Sequence, residues 1–315
     1  MTDRVAVYID FDNVVISRYD NLHGDGAWRK DDARNHRPDP ASADPVDVKL
    51  ALAEVDLGAI IDYASSFGVV GMTRAYADWS VPANAAYKRA LVDRAVDLVQ
   101  LFAAAGTKNG ADIRLAVDAV EDLSRHPDIT HVALVAGDSD YVPLAQRCKR
   151  LGRFVVGIGV AGSTSRALVN ACDEFQRYEA LPGVVSPPKV EPPRVEAAKA
   201  EPATGTAKKA PAKKTAKKTA KKAAAEEPVE APAPTELPEQ VEATALLVRA
   251  ARVGLQKSDD EWIHASSVKS QMQRMNPAFK EKPLGFSSFR AFVESRPTVL
   301  ETKQLENGQL LVRLL

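Results

Sequence analysis

Four aspartates stand where chemistry is possible, and position rather than number singles them out. Asp10 directly follows the apolar run Val5–Ile9, with Asp12 and Asn13 just behind it. Asp138 and Asp140 follow a second apolar run, His131–Ala136, across one glycine. In open parallel sheets ligands bind outside the carboxyl ends of the strands. A lone acid after a strand is ordinarily an N-cap or turn residue; two clusters at strand ends are harder to dismiss. The remaining acid, Asp112, sits on a helical stretch. At about 100° per residue, Leu115, Ala116, Ala119 and Leu123 project within roughly 60° of it. Its carboxylate therefore lies in line with the stripe that faces the sheet. Burying that charge unpaired would cost several kcal/mol. It is either a helix-start acid or ion pair favoured by the dipole, or a ligand to a cation that the strand-end acids share. Asp118 projects about 120° away and has Arg114 four residues before it, a surface pairing that ranks it below the others.

Carboxylates without histidine or cysteine beside them describe a hard-cation site, Mg²⁺ or Mn²⁺. Mutual repulsion would raise their pKa values unless a cation neutralised the cluster. Such sites serve in-line attack on phosphodiesters, with the ion activating water. Lys108, just before the helix carrying Asp112, is placed to attract phosphate, and Arg74 is a further substrate-binding candidate. Gly-x-Ser-x-Gly elbows and Walker loops are absent, and the five histidines lie outside the strand-end positions.

The elements that must position these groups alternate. Val5–Ile9, Val69–Tyr76, Val96–Phe102, His131–Ala136 and Phe154–Val160 read as strands, several apolar nearly throughout, as parallel strands covered on both faces are. Val48–Phe67, Ala83–Ala95, Gly110–Arg125 and Tyr141–Leu151 read as helices between them. The expectation is a three-layer α/β domain around a central parallel sheet, spanning 1–181. The polar stretch Asp20–Pro45 reads as a long inserted loop.

Composition changes near Pro182 and again near Pro238. Residues 182–237 are rich in Ala, Pro, Lys and Glu without aromatics, and read as a disordered linker. Ala207–Ala225 carries eight lysines and no acid, among them Lys208, Lys209, Lys213 and Lys214. This run is either a solvated spacer or an arm that holds polyanions electrostatically. Beyond it, Val241–Leu255, Ala265–Met275 and Phe286–Glu294 read as helices, and Val299–Leu305 with Gln309–Leu314 as a hairpin turned at Asn307-Gly308. Three helices and a hairpin describe a small winged helix-turn-helix domain over 238–315.

The chain balances 42 basic against 42 acidic residues, which excludes a protein basic throughout. It is 45% hydrophobic but 6% aromatic, so its core is mostly aliphatic. Two cysteines, Cys148 and Cys172, are too few for a disulfide scaffold. With no apolar run near the roughly 18–20 residues of a membrane span and a strand-like start in place of a signal peptide, a cytoplasmic protein is expected.

The run VAVYIDFDNV at 5–14, the K-x-x-x-D of KNGADIRLAVDA at 108–119 and LVAGDSDYVPL at 134–144 resemble the NYN domain of the PIN-like ribonuclease superfamily, with STSRALVNACDEF at 163–175 similar to its closing segment. The resemblance implies an Mg²⁺- or Mn²⁺-dependent nuclease acting on RNA. Its acidic, metal-holding centre would be Asp10, Asp112, Asp138 and Asp140, with Asn13 assisting and Asp118 open. The C-terminal stretch, from WIHASSVKSQMQRMNPAFKEKPLGFSSFRAFVESRP at 262–297 to NGQLLVRLL, resembles an OST-HTH/LOTUS domain, which implies RNA or protein binding without catalysis. Phe279, Phe286, Phe289 and Phe292 read there as core rather than as stacking platforms.

The leading reading is a metal-dependent ribonuclease on single-stranded RNA, helped by the basic linker and the winged helix. The alternatives are an RNA-binding adaptor with a silent nuclease fold and a haloacid-dehalogenase-type phosphatase, suggested by DFDNV and GDSD. The phosphatase pattern expects a Gly-Thr-like pair where Asn13-Val14 stands, and a later acid spaced differently from Asp140.

Overall fold

A computed structural model describes residues 3–39, 41–102, 110–184, 238–256, 260–305 and 308–315. In chain order its first part runs β1 (Arg4–Asp10), α1 (Phe11–His23), α2 (Ala27–Lys30), α3 (Pro45–Leu52), α4 (Leu57–Ser65), β2 (Val69–Ala77), α5 (Pro82–Ala85), α6 (Lys88–Val92), β3 (Asp97–Gln100), α7 (Gly110–Arg125), β4 (His131–Val135), α8 (Val142–Arg150), β5 (Phe154–Gly159), α9 (Arg166–Ala171) and β6 (Glu174–Arg177). All six strands are parallel, in the order β3-β2-β1-β4-β5-β6. β1 is central and buried on both faces, which is why it reads as an unbroken apolar run. Val5, Val7 and Ile9 face a layer built with α1 and α4. Ala6 and Tyr8 face the layer of α7 and α8, and Asp10 continues their side of the strand.

The structure corrects several boundaries. Asp20–Pro45 is not one long loop: α1 runs through His23, and α2 follows almost at once. Its polar residues are spent on local bonds. Asp20 accepts from the Trp28 N–H at 2.7 Å, and Asp31 accepts from the Tyr19 hydroxyl and from Lys49. The expected helix over Val48–Phe67 is two helices, because Asp56 restarts the ladder as the N-cap of α4. Ala83–Ala95 likewise divides into α5 and α6. The sixth strand, β6, is short and polar, as a sheet edge favours, and Phe175 on it packs over Gly157, whose Cβ would clash with that ring.

The second part comprises α10 (Pro238–Gln256), β7 (Ile263–His264), α11 (Ala265–Met275), α12 (Phe289–Glu294), β8 (Leu300–Gln304) and β9 (Leu310–Leu314). The strands form an antiparallel sheet in the order β7-β9-β8. α12 begins at Phe289 rather than Phe286, since Ser288 caps it. Of the expected hairpin turn, Asn307 lies outside the described residues, while Gly308 has a φ of 83°, the left-handed region such turns use. Phe279, Phe286, Phe289 and Phe292 pack ring against ring in the core.

The two parts touch through α4. Gln271 of α11, itself buried, donates to the Asp62 carbonyl at 3.3 Å and to Ser65 Oγ at 3.0 Å. Arg249 of α10 lies 3.2 Å from the Asp62 carboxylate, and Gln256 donates to the Ala180 carbonyl. Among the described residues no helix is long and apolar enough to cross a membrane.

Candidate active site

β1 and β4 are neighbours in register, with Ile9 opposite Val135, so Asp10 and Asp138 leave the same edge of the sheet two residues apart in height. Both are caps, as isolated strand-end acids are expected to be. Asp10 Oδ1 accepts from the Asn13 N–H at 3.2 Å and opens α1; Asp138 Oδ1 accepts from the Asp140 N–H and opens the 3-10 turn Ser139–Tyr141. Capping is not all that Asp10 does. It is 4% exposed, and its pKa is raised to about 7 by that burial, against hydrogen bonds from Asn13 and Tyr141 and with further upward pressure from Asp112 and Asp12. A cap needs no such burial.

Asp112 arrives from the first turn of α7 and is half-buried. Burial raises its pKa, a bond from Tyr141 opposes the rise, and the charges of Asp138 and Asp140 add to it. These mutual effects draw Asp10, Asp112, Asp138 and Asp140 into one electrostatic group at the carboxyl edge. Asp138 and Asp140 are exposed at its mouth. Asn13 ties the two strand ends together, its Oδ1 accepting from the Gly137 N–H at 3.3 Å. Gly137 is closely packed: a Cβ there would stand 3.0 Å from the Ser163 carbonyl oxygen, which would have to give by a few tenths of an ångström.

The other expected residues go elsewhere. Asp118 is buried, not on the surface: it holds Arg114 at 3.0 Å and accepts from the Tyr76 hydroxyl at 3.2 Å. Arg74 pairs with Asp122 at 2.8 Å and lies 3.9 Å from Asp118, so its guanidinium is engaged by the helix opposite. Lys108, Lys208, Lys209, Lys213 and Lys214 lie outside the described residues. Asp12 turns toward the start of α5, accepting from Asn84 and from the Asp78 N–H.

Sequence reasoning missed Tyr141. Its hydroxyl donates to Asp10 Oδ2 at 2.9 Å, with Asp112 a further acidic neighbour. The available signal was its place directly after Gly-Asp-Ser-Asp, where its aromatic ring read only as the start of a helix.

The donor set fits a hard divalent cation: carboxylates and one amide, without thiols or imidazoles. Among the described residues, the one group of three with ligand atoms all within 4.8 Å of one another is a different one, His36, Asp44 and Asp47. There the Asp47 carboxylate already takes His36 at 2.7 Å and the Asp39 N–H, and staples the segment before α3. The four site acids are spaced more openly, which suits Mg²⁺, an ion that keeps several waters and takes one or two carboxylates directly.

A parallel sheet that gathers aspartates from two strands and a helix at its carboxyl edge is the architecture of PIN-like nuclease domains. The chain belongs to the NYN family, whose domain matches residues 4–179. An OST-HTH/LOTUS domain matches residues 240–312. The chain is 30% identical over 119 residues to an uncharacterized protein of Methanocaldococcus jannaschii, a stretch that covers 38% of this chain and 46% of that one. It thus spans about half the length of that relative. It is also similar to a crystal structure of a Vibrio parahaemolyticus protein of unknown function, at 21% identity and a TM-score of 0.39, covering 56% of this chain and 93% of the other.

Proposed function

We propose that this chain is an Mg²⁺- or Mn²⁺-dependent ribonuclease that hydrolyses phosphodiester bonds in single-stranded RNA. The observation that carries this reading is the convergence of Asp10, Asp112, Asp138 and Asp140, from three separate elements, at the edge where a parallel sheet binds its ligands. Nothing in the local fold requires a carboxylate as buried as Asp10; an ion to hold does.

When bound, a divalent ion supplies Lewis acidity, which activates water and offsets charge on the phosphate. Asp10 and Asp112 would hold it from within, with Asp138 and Asp140 toward the open side. Asn13 keeps the ends of β1 and β4 at a fixed separation through Gly137. Water attacks phosphorus, and the bond to the leaving ribose oxygen breaks. The two parts divide the work, with 1–181 cutting and 238–315 binding RNA or a protein partner. The lysine run between them adds phosphate affinity without reading sequence. A cytoplasmic location suits the two free thiols, Cys148 and Cys172.

The test is digestion of a mixed RNA pool by the full chain with Mg²⁺ or Mn²⁺. Cleavage is expected, lost on chelation and in Asp10→Asn and Asp138→Asn. Intact RNA with both metals, together with RNA binding indifferent to chelation, would instead make the protein an adaptor.

A further inference from the structure

Tyr141 is the last residue of the 3-10 turn that begins at Ser139, and it is 1% exposed. Its ring is packed in the apolar layer with Leu115, Ala136, Leu144 and Leu168. A phenylalanine would fill that space equally well. What the hydroxyl adds is a bond to Asp10 Oδ2 at 2.9 Å. It thereby joins the end of β1 to the connection between β4 and α8.

The chemistry of that arrangement is specific. A phenol carries a single proton, and here it goes to Asp10. The charges that act on Asp10 and Asp112 include those of Asp12, Asp138 and Asp140. Asp10 is therefore held by a neutral side-chain donor among other acids. An ionised carboxylate offers about four lone-pair sites. Asp10 commits one to Asn13 and one to Tyr141, and the rest stay open.

We propose that Tyr141 is a positioning residue for the metal centre: its hydroxyl fixes Asp10 in ligand orientation before a divalent ion arrives. The proposal rests on the nuclease reading and deepens it. A buried arginine would hold Asp10 more firmly but would repel the ion. The tyrosine orients it and leaves its charge uncancelled.

The experiment is calorimetric titration of Mn²⁺ into the metal-free full chain, wild type beside Tyr141→Phe. Loss of a hydrogen bond to a charged group predicts affinity about tenfold weaker in the variant. The Mn²⁺ concentration for half-maximal cleavage should rise by the same factor, with KM for RNA unchanged. The melting temperature in chelator should fall by only a few degrees, the cost of one lost hydrogen bond. Replacement of Tyr141 by 3-fluorotyrosine, which keeps the hydroxyl, should retain wild-type affinity. Should Tyr141→Phe fail to fold, Tyr141→Met removes the hydroxyl while still filling the pocket. Equal or tighter Mn²⁺ binding by the hydroxyl-free variant overturns the inference and leaves the nuclease reading standing. A wild type that binds no Mn²⁺ overturns both.

Discussion

Asp10 opens α1 and is shut away from water, two conditions that favour opposite charge states. The Asn13 N–H rewards an ionised cap, while burial and the neighbouring acids penalise it. The second effect wins, so the metal-free protein carries unfavourable charge at its site. Asp10→Asn should therefore raise the melting temperature measured in chelator while it abolishes cleavage, and more at pH 8 than at pH 5. The sign follows from linkage: with the folded pKa above the unfolded one, the benefit of holding the proton is present in acid and lost as pH rises through about 7. A lower melting temperature at both pH values would mean that the cap outweighs the burial. At this scale the sequence was legible where an acid directly follows an apolar run, as for Asp10 and Asp138. It was not legible for Arg74 and Tyr141. Their destinations depend on which side chains another element brings opposite them, and linear spacing does not carry that.

α7 shows what places a site carboxylate at a distance. Asp112 is in its first turn, and the later turns are fastened to the sheet. Asp118 takes the Tyr76 hydroxyl, and Asp122 takes the Tyr8 hydroxyl at 3.1 Å and Arg74 at 2.8 Å. These bonds set the helix's position along β1 and β2, and with it the distance from Asp112 to Asp10. Asp122→Ala leaves Arg74 and Tyr8 without their partner and should cost about 2–3 kcal/mol, discounting for the partial exposure of Arg74. In a domain of this size that lowers the melting temperature by roughly 5–10 °C. A double-mutant cycle with Arg74→Met should show coupling between the two sites; strict additivity would dismiss the fastening. The extent of α7 was readable because its apolar stripe is regular. α1 carries a comparable pattern in Phe11, Val14, Val15 and Tyr19, but Arg18 shares the buried side and obscures it. That arginine is packed over the Tyr178 ring and lies 3.5 Å from Glu179. β6 gave no apolar signal, because an edge strand does not bury both faces.

Across the whole molecule, the contact between the two parts centres on Asp62. It is 4% exposed, and its pKa is raised to about 6 by burial and by Asp56, against the charges of Arg249 and Arg94. A carboxyl whose folded pKa is raised contributes stability in acid that is lost as pH rises through about 6. The melting temperature of the full chain should thus fall between pH 5 and pH 8, and Asp62→Asn should lessen that fall. A fall of equal size in Asp62→Asn would show that other groups set the pH dependence. None of this contact was legible in sequence. Asp62 lies within a helical pattern, and its partners are nearly two hundred positions away.

The docked part rests on the layer of α1 and α4, whereas the aspartates open on the side of α7. For the proposed ribonuclease this sets a shortest useful substrate. A strand gripped at the rear must wrap around the rim before it meets the cutting edge, so brief oligonucleotides engage one grip or the other, and only longer strands feel both.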